Sequence, residues 1–163
     1  MSNIIPQAPA VNQKAWNELE VYCRQLAEEG KTLYIVSGPA GRGGIGRDGA
    51  AEAIGDGRVA VPAKCWKLVL VLDGVGEPRD DVGKVHRDTR FIAVIMPNTQ
   101  DVGFDWARYR VPVKEVEELT GYRFFDKVPA RVIEPLKRKA DDTRIPRSRP
   151  PRRGTNQEDS HDR

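Results

Sequence analysis

Two near-continuous apolar runs, CWKLVLVL at 65–72 and FIAVIM at 91–96, constrain this fold more than any other feature of the chain. Each has strand length, is rich in Val and Ile, and is bounded by polar or turn-forming residues, the pattern of interior strands covered on both faces. A sheet of that kind needs cover on each side. Lys14–Glu29 supplies one helix, in which Trp16, Leu19, Cys23 and Leu26 recur at three-and-four spacing and Gly30 follows as a stop. Pro112–Thr120 supplies another, with proline near its start, Val113, Val116 and Leu119 as the inward stripe and Gly121 after its end. Thr32–Val36 reads as a further strand, Ser37–Val61 with its eight glycines as a long surface loop, and Asp73–Thr89 as a charged loop. Trp66, Trp106 and the aromatics at 122–125 read as core rather than as stacking platforms. The expected class is α+β, a largely antiparallel sheet flanked by helices.

A chain of 163 residues suits one domain. Its net charge of +3 is unevenly spread. Residues 1–130 hold 17 Lys/Arg against 18 Asp/Glu, and residues 131–163 hold 10 against 6. The basic excess therefore sits at the end, and bulk charge does not argue that the body binds nucleic acid. From about Leu136 apolar residues nearly vanish and arginines flank prolines, so 131–163 is expected to be a basic, disordered tail. The body is expected at 1–130. Cys23 and Cys65 have no CxxC spacing and no nearby histidine, which excludes a disulfide scaffold and a zinc signature. Buried thiols are the favoured reading of the two, a single disulfide the alternative. No apolar run approaches the roughly 20 residues of a membrane span, and Met1–Gln13 has neither a basic nor an apolar export region.

Chemistry concentrates in SNIIPQAPAVNQKAWNELEVYCR, residues 2–24. An amide-rich entry (Asn3, Gln7, Asn12, Gln13) runs into the helix bearing Glu20 and Arg24, an acid-before-base pair one turn apart. Asn12 and Glu20 are eight residues apart, a little over two helical turns, so an early helix start places them on neighbouring faces. A carboxamide, a carboxylate and a guanidinium gathered there could hold a hydrated Mg²⁺ and a phosphate. On pattern alone the plainer account is that Asn12 caps the helix and Glu20–Arg24 is a surface pair worth a few tenths of a kcal/mol.

The order of motifs changes that weighting. Ser-Asn-x-x-Pro-Gln followed by Asn-Gln-x-x-Trp-x-x-Leu-Glu, then LYIVSGP at 33–39, VPAKCWKLVLV at 61–71, TRFIAVIMPN at 89–98 and YRVPVKEVEELTGYRFFDKVP at 109–129, resembles the DNA/RNA non-specific endonucleases. That family, of bacterial secreted and endonuclease G type, has the ββα-metal fold. The resemblance covers about residues 2–130. It implies Mg²⁺ (or Mn²⁺) as cofactor, DNA and RNA without sequence preference as partners, no membrane association, and a secreted or periplasmic full-length bacterial parent. Dimer formation is left open. It places Asn12 on the metal ligand, Glu20 on the acid that orients metal-bound waters, Arg24 on a phosphate-neutralising arginine, and Asn3 and Gln7 on supporting amides.

The family's Asp-Arg-Gly-His motif, whose histidine activates the attacking water, does not occur in these residues. The expectation is therefore an incomplete ββα-metal domain, its carboxy-terminal portion, with a sheet edge that upstream strands would otherwise cover. His86 lies in a charged loop and His161 in the tail, and neither is read as a replacement base. SGPAGRGGIGRDG at 37–49 lacks the Gly-Lys-Ser/Thr ending of a phosphate loop and reads as an ordinary glycine-rich loop.

Overall fold

The computed structural model describes residues 5–75 and 80–145. Asn3, His161 and the chain from 146 onward fall outside them. The element order is α1 (Pro9–Val11), a π-helical turn (Asn12–Trp16), α2 (Asn17–Glu28), β1 (Lys31–Ala40), β2 (Gly44–Gly46), β3 (Gly49–Ala51), β4 (Ala53–Ile54), β5 (Val59–Ala60), β6 (Lys64–Asp73), α3 (Asp81–Lys84), β7 (Arg90–Pro97), a 3₁₀ turn (Trp106–Tyr109), α4 (Val113–Thr120) and α5 (Ala130–Lys137).

The two apolar runs became β6 and β7, and β6 is central in the antiparallel sheet β1-β6-β7. Alternation along β6 divides the core. Cys65, Val69 and Val71 pack with Ile92, Val94 and Met96 of β7 beneath the long helix, around Leu19, Cys23 and Leu26. Trp66, Leu68, Leu70 and Leu72 point the other way, onto Val113 and Val116 of α4 and Ile133 of α5. Both faces are covered, which is why the runs lack a polar period. The α+β class, a largely antiparallel sheet flanked by helices, is the observed architecture.

Four expectations are corrected. The first helix begins at Pro9 rather than Lys14 and runs without a break through the π turn into α2. Strand β1 continues through Ser37 to Ala40, because Trp66 Nε1 donates to the Pro39 carbonyl (3.1 Å) and Gly38 lets the indole lie against the backbone. A Cβ at Gly38 would meet the ring at 2.7 Å. The rest of the glycine-rich stretch folds into two small hairpins, β2–β3 and β4–β5. Tyr122 is exposed rather than core, whereas Trp66 and Trp106 are buried as expected. Cys23 and Cys65 are buried free thiols.

The largest correction concerns the expected tail from 131. Its first part is the helix α5, and Lys137 on it is buried, its ammonium 2.7 Å from Glu117 of α4. Beyond it Asp141, with a side chain 3% exposed, is clasped by Arg90 (2.8 Å) and Arg110 (3.2 Å). Burial alone would raise the Asp141 carboxyl, but donors from Arg90, Thr143 and Arg110 and the Arg90 charge hold it below its ordinary value. Net basic charge does not preclude order when the charges have buried partners.

Candidate active site

The helix entry is capped from a distance. Asn98, at the end of β7 and 1% exposed, accepts the Ala8 N–H on Oδ1 (2.6 Å) and donates through Nδ2 to the Pro62 (2.8 Å) and Pro6 (3.1 Å) carbonyls. Gln100 Oε1 accepts from the Ala10 N–H at 3.3 Å. These amides satisfy first-turn donors that the helix cannot satisfy itself, since Ala8 at the N-cap has no acceptor side chain. Asn12 therefore is not the cap; it lies inside the helix, at the start of the π turn. Its side chain is exposed and has no hydrogen-bond partner among the described residues.

The π turn decides which residues line up. In plain α geometry eight residues overshoot two turns by roughly 80°. The wider i→i+5 turn over Asn12–Trp16 takes up more residues per revolution and removes most of that offset. By that count Asn12 and Glu20 fall near one line along the helix, with Arg24 a turn further on, although Asn12 does not line the groove that Glu20 and Arg24 border. Such single π turns occur often at functional sites.

Glu20 does not pair with Arg24, as its spacing led one to expect. Its Oε1 accepts instead from Lys67 Nζ of β6 at 3.0 Å, with side-chain exposures of 45% for Glu20 and 5% for Lys67. The ammonium also lies 4.1 Å from the centroid of the buried Trp16 ring. Arg24 is exposed and forms no ion pair among the described residues. Together Glu20, Cys23 and Arg24 wall one side of a groove of about 510 Å³, Leu33, Ile35 and Ser37 of β1 wall the other, and Lys67 lies between them. Burial pushes the Cys23 thiol up, with Lys67 and Arg24 opposing and Glu20 adding to the effect, so it stays protonated at neutral pH. Gln7 sits at the entry, half-buried; burial raises the Cys65 thiol more than the nearby Gln7 side chain lowers it.

Sequence reasoning missed Lys67 and Asn98. A lysine inside an otherwise apolar strand was the available signal for the first, and an asparagine closing a buried strand for the second. One carboxamide and one carboxylate form a sparse all-oxygen donor set. It suits a hard cation such as Mg²⁺, which keeps several waters and takes few protein ligands, and it offers none of the Cys or His ligands on which zinc sites are usually built.

The model of the DNA/RNA non-specific endonuclease family matches residues 1–131. The chain belongs to that family. It is 40% identical over 141 residues to a nuclease of Nostoc sp., covering 86% of this chain and 47% of that one. It is 33% identical over 136 residues to human mitochondrial endonuclease G, covering 80% and 42% respectively. Among solved structures, EndoG in the EndoG/EndoGI complex aligns with a TM-score of 0.57 at 26% identity, over 80% of this chain and 51% of that one. The chain thus spans about half the length of these relatives, and the fold it shares with EndoG is the ββα-metal nuclease fold. The matched region stops short of the Lys137 and Asp141 anchors.

Proposed function

We propose that this chain carries the cation- and phosphate-binding half of an endonuclease site that hydrolyses phosphodiester bonds of DNA and RNA without regard to sequence. The observation that supports this most is the exposed helix entry itself: Asn12 without a hydrogen-bond partner and Arg24 without an ion pair among the described residues, with Glu20 at the groove between them in sequence. The Asn12 carboxamide oxygen would hold Mg²⁺, or Mn²⁺, directly, and Glu20 would hold it through bound water. When bound, the ion supplies positive charge at the non-bridging and leaving oxygens of the phosphate. Arg24 donates charge-assisted hydrogen bonds to the phosphoryl oxygens as their charge grows. Gln7 steadies the entry loop, and Asn3 takes the same supporting role.

Water activation is assigned to a histidine outside these residues. His86 does not line the groove, and its ring Nδ1 accepts the Asp88 N–H at 3.3 Å in a local turn. A second reading, a non-catalytic fragment that binds nucleic acid or completes a partner segment, draws on the open side of β1. That strand pairs only with β6 among the described residues, and Ile35 and Val36 on it are 48% and 38% exposed.

The test mixes the purified chain with supercoiled plasmid or with RNA in Mg²⁺, with and without a polypeptide carrying the Asp-Arg-Gly-His segment of a family member. The chain alone is expected to cleave poorly, since a general base contributes about 10²–10⁴ in rate. Adding the second polypeptide should restore cleavage of both substrates, and Asn12→Ala should remove it again. A folded chain that gains no activity from the added segment would leave only the second reading.

A further inference from the structure

Lys67 breaks the helix-facing row of β6, whose other members Cys65, Val69 and Val71 are core residues. An apolar residue would fill that place at less desolvation cost, because burying an ammonium is costly and a half-hydrated carboxylate offsets it only in part. The side chain runs through the core beneath Trp16 and ends on Oε1 of Glu20, at the groove. The second Glu20 oxygen has no protein donor among the described residues.

We propose that Lys67 is a positioning residue for the cation site: by holding Oε1 it fixes the Glu20 carboxylate so that the other oxygen faces the hydration shell of an ion on Asn12. The inference rests on the assignment of Asn12 and Glu20 to that ion. Its sign separates it from plain electrostatics. A positive charge near a cation repels it, so charge alone requires that removing Lys67 tighten cation binding. Positioning requires that removal weaken it, as for other outer-sphere partners of metal ligands.

The experiment titrates the full chain with Mn²⁺ and follows free ion by electron paramagnetic resonance, with circular dichroism and thermal melts on each variant. Lys67→Met should melt no lower than wild type, because methionine suits the apolar row, yet should bind Mn²⁺ about tenfold more weakly. Lys67→Gln keeps an N–H donor without the charge and should recover part of the loss; it also carries the test should the methionine variant not fold. In a Glu20→Gln background, Lys67→Met should add nothing, since its effect passes through Glu20. Unchanged or tighter binding by Lys67→Met, with Asn12→Ala and Glu20→Gln both weakened, would overturn the inference and leave the site assignment intact. If wild type binds no Mn²⁺, or none of the single variants alters binding, the site assignment itself falls and the inference with it.

Discussion

Lys137→Ala is expected to destabilise this chain by about 3 kcal/mol, near the lower end of the cost of breaking a buried ion pair. Lys137 is 2% exposed and Glu117 9% exposed, with 2.7 Å between Nζ and Oε1. The cost stays near that lower end because Glu117 keeps Lys114 at 2.9 Å and the Phe124 N–H at 3.0 Å. Those donors also show in its acidity. Burial raises the Glu117 carboxyl, but Lys137, the Phe124 N–H and Lys114 together outweigh it and bring the pKa from 4.5 to about 2. A carboxyl depressed in the folded state stabilises fully above its unfolded pKa and loses that contribution as pH falls through the folded one. Glu117 should therefore contribute about 3 kcal/mol at neutral pH, fading between roughly pH 4.5 and 2. Urea unfolding at pH 7 and at pH 3, followed by tryptophan fluorescence, checks both statements. A loss below about 1 kcal/mol at pH 7 would mean that α5 is not docked on α4.

Asn98→Ala should cost about as much, roughly 3–4 kcal/mol, for a different reason. One side chain satisfies the Ala8 N–H and two proline carbonyls, and truncation leaves these groups to find water from a site that is 1% exposed. The Asn98 backbone adds two more ties, donating to Ala63 O and accepting from Ile45, both at 2.8 Å, and alanine preserves these. The defect should thus be local as well as global. Hydrogen exchange should quicken at Ala8 and the next residues of the entry helix before it does at Leu19 and beyond. Uniform acceleration along the whole helix would show that Asn98 stabilises the fold without specially holding the Asn12 turn.

What could be read from sequence was set by repetition. β6 and β7 declared themselves as unbroken apolar runs, and α2 and α4 by stripes at helical spacing ending at Gly30 and Gly121. α5 was invisible because one of its two buried residues is Lys137, which composition alone counts as solvent-seeking. The extension of β1 past Ser37 depends on one indole lying over Gly38, a contact between residues far apart in the chain. Of the candidate site, the residue types at Asn12, Glu20 and Arg24 were legible, and their mutual disposition was not. Two facts decided it: the register that sets Lys67 opposite Ser37 and Val94, and a helical turn with no signature in the pattern of side chains.

That turn joins two stretches of helix that pack into one core. Ala8 and Val11 before it and Leu19, Cys23 and Leu26 after it are buried together, and the wide turn takes up the extra residue that would otherwise set the two stretches out of phase. Removing one residue between Gln13 and Ala15 would return the turn to plain α geometry and leave seven residues, about 20° short of two turns, between Asn12 and Glu20, so the phase between them would change little.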